Sequence, residues 1–147
     1  MSIRTGVLPT VSELTLSTLP HHRDVNGGLV VMEALTHVPF SIARVFFVEA
    51  PNGAVRGQHA HKACAQFLTC PRGLVEVACD DGITTATYAL DRPDRALLVP
   101  AGIWSEQTYK APGSVLVVLC DRPYDADDYI REYGAFKAYR QAEHART

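Results

Sequence analysis

The stretch GAVRGQHAHKACAQFLTCPRG, residues 53–73, carries two histidines, His59 and His61, that are separated by a single residue. Alternate residues of a β-strand point to the same face of a sheet, so both imidazoles would share one face while Ala60 points outward. A histidine pair of this kind on a strand is often only a half-exposed, hydrogen-bonded pair. The alternative is that the two rings enter the interior of a β-fold and do chemistry there.

The sequence around this stretch consists of short apolar runs separated by turn formers. The runs are four to eight residues long and rich in Val, Phe, Tyr and Thr, and the turns include PNG, PRG, DDG, DRPD and APG. Many short strands spaced about a dozen residues apart are typical of an antiparallel sandwich or barrel. The pattern therefore predicts a mainly β domain.

The C-terminal part of the chain has a different period. Ile130, Tyr133 and Phe136 follow one another at three-residue steps in YDADDYIREYGAFKAYRQ, with acidic residues near its beginning. This spacing indicates an amphipathic helix, which we expect over residues 125–141 and packed against the β-domain.

Length, composition and charge limit the possible classes of protein. A chain of 147 residues with 47% hydrophobic content is large enough for one core, so a single domain is expected over residues 1–147. The formal charge of −2 gives no broad surface for nucleic acid or anionic lipid. The chain contains no apolar run of the ~18 residues that a membrane span requires, and a cytoplasmic location is expected. The four cysteines have no CxxC spacing, and we expect them to be free and buried.

The spacing within residues 53–73 resembles the first motif of the cupins, G-x5-H-x-H-x4-E-x6-G, with Gln66 in place of the glutamate. The resemblance implies a cupin jelly roll. In metal-binding cupins the ion is held by the two histidines, the glutamate and a histidine of a second motif that begins PxGxxH. Here the second motif reads PAGIWSEQTY, and Ser105 stands at the histidine position. Two of the four ligands are thus absent, and no metal is expected at this site.

A wider set of segments is similar to the cupin-fold sugar nucleotide 3,4-ketoisomerases. The matching segments are DVNGGLVVME (24–33), VPFSIARV (38–45), VRGQHAHK (55–62), DDG (80–82), VPAGIW (99–104) and VLVVLCDRPYDADDYIREYGAF (115–136). This resemblance implies an enzyme without cofactor that converts a dTDP-4-keto-6-deoxyhexose into its 3-keto isomer through an enediol, for the biosynthesis of deoxyamino sugars. It also implies that His59 and His61 are the catalytic pair, and we expect His61 to be the base at carbon 3 and His59 the relay or acid.

The resemblance further suggests which residues bind the substrate. Histidine suits the proton transfers because its pKa lies near neutrality, but the enediolate and the diphosphate also require cations. Arg44, Arg56 and Lys62 are the candidates for that role. The other candidates for substrate binding are Trp104, Tyr109, Glu33 and Gln66. For the two aromatic residues the competing interpretation is packing in the core, which is common for aromatics on strands.

The chain departs from many relatives at Phe46, Phe47 and Ser105, where they carry a tyrosine and a histidine. These differences leave open a non-catalytic cupin that binds a sugar nucleotide, and a metal-dependent cupin enzyme. If the activity is present, Tyr109 or a water molecule is expected to supply the missing proton donor. The family is typically dimeric with exchanged N-terminal strands, so a homodimer is expected. The expected division is residues 1–23 as the N-terminal segment, 24–122 as the jelly roll and 125–141 as the helix.

Overall fold

A computed structural model describes residues 7–145, which form twelve strands and one α-helix. The predicted N-terminal segment and domain therefore extend beyond the described residues at 1–6 and 146–147. The elements are β1 (Leu16–Thr18), β2 (His21–Asp24), β3 (Gly27–Val30), β4 (Arg44–Glu49), β5 (Val55–His61), β6 (Gln66–Arg72), β7 (Val75–Asp80), β8 (Thr85–Leu90), β9 (Arg95–Val99), β10 (Trp104–Tyr109), β11 (Val115–Cys120), β12 (Tyr129–Ile130) and α1 (Tyr133–Ala145).

Two five-stranded antiparallel sheets make up the body of the protein. One sheet has the strand order β1-β9-β6-β11-β4 and the other β12-β5-β10-β7-β8, with β2 and β3 forming a separate hairpin. Alternate side chains of both sheets meet in one apolar core that includes Leu68, Val77, Leu97 and Leu116. The predicted mainly β jelly roll with a C-terminal helix is confirmed.

Strand β5 contains an irregularity just before the histidines. Gly57 and Gln58 have φ angles of 81° and 58°, and the pairing of β5 with β10 shifts register between Ser105 and Glu106. A Cβ atom at Gly57 would collide with the side chain of Gln107, so glycine satisfies both the positive φ and the close approach. A bulge of this kind redirects the side chains that follow it. Here the residues that follow are His59 and His61.

The helix begins later than the sequence predicted. Residues 125–132 are not α-helical: the Asp125 carboxylate accepts from the N–H of Asp127 and caps a short 3-10 helix, Ala126–Asp128. Strand β12 follows and pairs with β5, and α1 starts only at Tyr133. The prediction of a helix from 125 was wrong because strand pairing with β5 satisfies this backbone. The Ile130 spacing that suggested a helix belongs to an apolar cluster shared by β12 and α1.

That cluster fills the space between α1 and the outer face of the sheet. It consists of Ala60, Trp104, Ile130 and Phe136, all of which are buried. Ala60 faces away from the inner side of the sheet, as expected, but helix α1 and strand β12 cover it. The cluster fixes the segment from β12 to α1 against β5.

The N-terminal region joins the fold earlier than the expected boundary at residue 24. Strand β1 pairs with β9 of the same chain, with Leu16 opposite Leu97, and His21–Asp24 already forms one arm of the hairpin. Strand exchange between subunits stays a prediction.

All four cysteines are free and buried, as predicted. Within residues 7–145, no helix has the length and apolar character needed to cross a membrane.

Candidate active site

A cavity of about 220 Å³ opens between the inner faces of the two sheets. Five of the residues predicted from the sequence line it, and they come from four different strands. These residues are Arg44, Arg56, His59, Gln66 and Tyr109. Among the described residues that line the cavity, three are arginines and none is an aspartate or glutamate. The cavity therefore favours an anionic ligand.

His59 lines this cavity and has one unprotonated ring nitrogen. Its Nδ1 lies 3.0 Å from the carbonyl oxygen of Gly57. A carbonyl can only accept a hydrogen bond, so Nδ1 carries the proton and Nε2 is the unprotonated nitrogen of the neutral ring. Burial, the neighbouring His61 and the charge of Arg131 lower the pKa of His59 from 6.5 to about 4, against the effect of the Gly57 hydrogen bond. His59 is consequently a neutral base at physiological pH.

His61 is not among the described residues that line the cavity, and a carboxylate holds its ring. Its Nδ1 is 2.9 Å from Oδ2 of Asp128, and its Nε2 has no hydrogen-bond partner among residues 7–145. The ring is buried, with 7% of its surface exposed, and its centroid is 5.0 Å from that of His59. Burial lowers the pKa of His61 more than the hydrogen bond to Asp128 raises it. The pair is therefore a neutral imidazole hydrogen-bonded to an ionised carboxylate.

Asp128 is itself fixed by backbone donors. Its Oδ1 accepts from the N–H of Ala63 at 2.7 Å, and Oδ2 accepts from the N–H of Cys64 at 3.2 Å. Burial alone would raise the pKa of Asp128, but the hydrogen bonds from His61, Ala63 and Cys64 outweigh it and lower the pKa. Asp128 thus sets both the tautomer and the orientation of His61.

Strand β12 and the residue that follows it bring two further side chains into the cavity, those of Tyr129 and Arg131. The ring centroid of Tyr129 is 5.0 Å from that of His59 and 4.4 Å from that of His61. The Arg131 guanidinium lies 4.2 Å above the Tyr129 ring. Three of these site residues were not predicted from the sequence: Asp128, Tyr129 and Arg131. The alternation of Tyr129, Ile130 and Arg131 is a strand pattern that could have indicated them.

Tyr109 and Gln66 occupy the deeper, buried wall of the cavity. The Tyr109 hydroxyl is completely buried and has no hydrogen-bond partner within the described part of the chain. Burial raises its pKa to about 12, so the hydroxyl stays protonated at neutral pH. Gln66 is 5% exposed, and its Nε2 donates to Sγ of Cys120 at 3.7 Å. The Tyr109 hydroxyl is thus a protonated donor without a described acceptor.

Three of the predicted substrate-binding residues do not line this cavity. Trp104 lies on the outer face of the sheet, with its ring 5.4 Å from Tyr133 and 5.7 Å from Phe136. Lys62 is exposed, and Glu33 is exposed in a loop where its carboxylate accepts from the Thr36 hydroxyl at 2.9 Å. For Trp104 the structure supports packing in the core, the alternative interpretation.

The alternation of side chains along β10 explains why Trp104 and Tyr109 lie on different faces of the sheet. These residues are five positions apart and so point to opposite faces of the strand. Ser105 and Tyr109 are four apart and share the inner face, where Gln107 donates to the Ser105 hydroxyl at 3.1 Å. The cupin motif expects an inward histidine at position 105, which places Trp104 outside. Of the two phenylalanines at the departure from the family pattern, Phe46 lines the cavity and Phe47 is 67% exposed.

The groups available to a metal ion are already engaged with one another. The cupin ligand positions hold Gln66, bonded to Cys120, and Ser105, bonded to Gln107. In residues 7–145 one other group, His61, Cys64 and Asp128, has possible ligand atoms within 4.8 Å of one another. Both Asp128 oxygens accept hydrogen bonds, and a hydrogen bond with Cys120, followed by burial, raises the pKa of Cys64. This set of donors fits a hydrogen-bonded histidine and carboxylate better than an ion.

Comparisons with known proteins agree on one family. The family model described as "FdtA: WxcM-like, C-terminal" matches residues 12–141. The TDP-4-oxo-6-deoxy-alpha-D-glucose-3,4-oxoisomerase of Aneurinibacillus thermoaerophilus is 39% identical over 117 residues, which cover 79% of this chain and 84% of the relative.

Solved structures of 3,4-ketoisomerases have the same fold. A histidine-to-asparagine mutant of the QdtA 3,4-ketoisomerase of Thermoanaerobacterium thermosaccharolyticum, in complex with TDP-4-keto-6-deoxyglucose, is 27% identical. It aligns with a TM-score of 0.85 over 90% of this chain and 96% of its own. The WlaRB TDP-quinovose 3,4-ketoisomerase of Campylobacter jejuni is 34% identical, with a TM-score of 0.80 over 87% and 99% of the two chains. The chain, with its two inward histidines and cation-lined cavity, belongs to the cupin-fold family of sugar nucleotide 3,4-ketoisomerases.

Proposed function

We propose that this ketoisomerase converts dTDP-4-keto-6-deoxyglucose into a dTDP-3-keto-6-deoxyhexose, with His59 as the base at carbon 3 and His61 as the relay for the hydroxyl protons. The roles of the two histidines are the reverse of those expected from the sequence. The observation that carries the proposal is that His59 lines the cavity with its Nε2 unprotonated, while His61 stands behind it.

The chemistry is a transfer of protons between adjacent carbons. The C3–H bond breaks as Nε2 of His59 accepts the proton, its electron pair forms a C3–C4 double bond, and the carbonyl π pair moves to the oxygen on C4. The proton of the C3 hydroxyl then moves to the oxygen on C4, the electron pair left on the C3 oxygen forms the 3-ketone, and the pair of the C3–C4 double bond takes up a proton at C4. No electrons enter or leave the substrate, so the reaction needs only acids and bases. A 3-ketone is also the form that an amino-group transfer to carbon 3 would consume.

His61 suits the relay because its proton positions are fixed. Asp128 keeps Nδ1 protonated, so Nε2 is the atom that can accept and return a proton. An orienting carboxylate of this kind also stabilises the imidazolium that forms transiently. Tyr109, which remains protonated and has no other described partner, supports the proposal as a neutral hydrogen-bond donor in place of the tyrosine that relatives carry.

Two arginines support the assignment of a nucleotide-linked substrate. Arg44 and Arg56 line the cavity, and a diphosphate is bound well by guanidinium groups because they donate paired, charged hydrogen bonds. The Arg44 guanidinium lies 4.7 Å from the Phe46 ring and 5.0 Å from the Tyr124 ring, which gives it a defined position.

A homodimer is part of the proposal. β4 is the last strand of its sheet, and its outward side chains Val45 and Phe47 are 59% and 67% exposed. An open edge flanked by apolar side chains is a common site of strand pairing between subunits. Light scattering would test this by giving the mass of two chains.

The proposal also places the protein in the cytoplasm. Four free cysteines are consistent with this reducing compartment.

The roles of the histidines can be tested in heavy water with dTDP-4-keto-6-deoxyglucose, with the sugar protons followed by NMR. The wild-type protein should incorporate deuterium and form the 3-keto isomer. His59→Asn should lower the rate of exchange at carbon 3 and the rate of isomerisation by roughly 10²–10⁴-fold each. His61→Asn should retain exchange at carbon 3 while the 3-keto product forms slowly.

His22→Asn is the matched control, because His22 is an exposed histidine on β2 that does not line the cavity. It should behave as the wild type does. The opposite pattern for His59→Asn and His61→Asn would reverse the two roles, and a wild-type protein that binds the sugar nucleotide without exchange would refute the proposed reaction.

A further inference from the structure

The cavity contains three arginines, but the substrate presents two separate sites of negative charge. The diphosphate carries charge throughout, whereas the oxygen on carbon 4 becomes negative only in the enediolate. Arg44, Arg56 and Lys62 were the cations expected from the sequence, but Lys62 is exposed and does not line the cavity. The cation nearest to the reacting carbons therefore has to be found from the geometry.

The register of β12 on β5 directs Arg131 towards the histidines. Tyr129 pairs with His61 and Ile130 with Ala60, and antiparallel partners point to the same face of a sheet. The chain continues from Ile130 in the same direction, so Arg131 comes next on the face of Tyr129, towards His59. Both Tyr129 and Arg131 line the cavity, in agreement with this alternation.

Contacts between the rings place the guanidinium close to both imidazoles. Arg131 lies 4.2 Å above the Tyr129 ring, and that ring is 5.0 Å and 4.4 Å from the rings of His59 and His61. A guanidinium stacked on an aromatic ring has a restricted orientation and keeps its N–H donors at the edge free for a ligand.

Of the three arginines, Arg131 is the one whose charge acts on both histidines. The charge of Arg131 contributes to lowering the pKa of both His59 and His61. Arg44 contributes at His61 and also lowers the pKa of Cys120, whereas Arg56 acts to lower the pKa of Tyr109. Arg131 is thus the arginine at the histidine end of the cavity.

We propose that Arg131 is a catalytic residue of the isomerisation, whose guanidinium donates hydrogen bonds to the oxygen on carbon 4 as that oxygen becomes the enediolate anion. The inference rests on the proposed function and adds a separate role to it. Arg44 and Arg56 bind the diphosphate, and Arg131 stabilises charge that appears only during the reaction. A group of this kind affects kcat more than ground-state binding, because its interaction strengthens as the charge develops.

The test separates the diphosphate from the sugar by using TDP, which lacks the sugar, as the probe of binding. Arg131→Gln should lower kcat by about 10²-fold, the typical effect of losing one donor to an oxyanion, and leave the Kd for TDP within about twofold. Arg56→Gln is the matched comparison and should weaken TDP binding by about tenfold. Arg131→Lys retains the charge without the planar donors and should lie between the wild type and Arg131→Gln in kcat.

Thermal unfolding of each variant should match the wild type, because Arg131 is an exposed side chain at the mouth of the cavity. A loss of TDP affinity in Arg131→Gln equal to that in Arg56→Gln would place Arg131 on the diphosphate and overturn the proposal. An unchanged kcat would overturn it as well. Absence of isomerisation by the wild-type protein is a different result, and it would refute the reaction rather than the role of Arg131.

Discussion

One sheet is formed by β12, β5, β10, β7 and β8, and its two faces differ in whether their buried polar atoms have hydrogen-bond partners. On the outer face, Ala60, Ile130 and Phe136 pack into an apolar cluster under α1. On the inner face, His61 Nε2 and the Tyr109 hydroxyl are buried without hydrogen-bond partners among residues 7–145. Unpaired buried polar atoms destabilise a fold by about 1–3 kcal/mol each. The outer face therefore stabilises the segment that carries Asp128 and Arg131, while the inner face holds two buried polar atoms without described partners.

The largest effect is expected on the outer face, from Phe136→Ala. Phe136 is fully buried in the cluster, and truncating a buried phenylalanine typically costs 3–5 kcal/mol. The free energy of unfolding, measured with a chemical denaturant, should decrease by about that amount. Activity per folded molecule should also decrease, because β12 and α1 would no longer be held firmly against β5.

Lys137→Ala is the control on the neighbouring, exposed position of the same helix, and its effect should stay within about 0.5 kcal/mol. A loss below 1 kcal/mol for Phe136→Ala would show that the outer cluster does not stabilise this segment.

The next largest effect is expected on the inner face, from Asp128→Asn. The amide retains one oxygen for the N–H of Ala63, but its NH2 group cannot accept from Nδ1–H of His61 or from the N–H of Cys64, as Oδ2 does. We expect kcat to decrease by about 10²-fold, the upper end of the loss seen when a carboxylate that orients a histidine is removed, with little change in TDP affinity. Asp127→Asn changes the exposed neighbouring carboxylate and should leave kcat unchanged. An equal loss in both variants would contradict a specific role for Asp128.

Features that depend on local sequence could be predicted, whereas features that depend on contacts between distant residues could not. The His59–His61 spacing and the turn formers are local signals, so strand β5, its inward histidines and the jelly roll could be predicted. The hydrogen bond between His61 and Asp128 joins residues 67 positions apart. The alternation of residues 129–131 indicates a strand, but it does not show that this strand pairs with β5. The three-residue spacing of Ile130, Tyr133 and Phe136 indicated a helix because one apolar cluster spans a strand and a helix.

A smaller effect is expected from pH, and it concerns the inner face alone. His59 has its pKa lowered to about 4 in the folded protein, whereas an unfolded histidine titrates near 6.5. Between these values the unfolded chain binds more protons, so the free energy of unfolding should decrease as the pH falls from about 6.5 towards 4. His61 contributes in the same direction because burial lowers its pKa as well. Asp128 opposes that decrease, and the charges of Arg131 and Arg44 add to it.

Denaturant unfolding at several pH values would measure this slope. His59→Asn should have a shallower slope across the same window, because asparagine does not titrate. An identical slope in the wild type and the variant would show that His59 is not held neutral by its surroundings.

The smallest effect, and the one that separates stability from function most directly, is expected from Tyr109→Phe. Removing a buried hydroxyl without a described partner removes a desolvation cost, so the free energy of unfolding should stay the same or rise by about 1 kcal/mol. If the hydroxyl donates to the substrate, kcat should nevertheless decrease by about tenfold, the value of one hydrogen bond.

Tyr88→Phe provides the opposite case. The Tyr88 hydroxyl lies 3.3 Å from the carbonyl oxygen of Val11 and 3.5 Å from that of Leu14, and it does not line the cavity. Its loss should lower the free energy of unfolding by about 1 kcal/mol and leave kcat unchanged. A Tyr109→Phe protein that loses stability and retains its kcat would show that this hydroxyl serves the fold, and that the inner face holds one catalytic donor fewer than proposed.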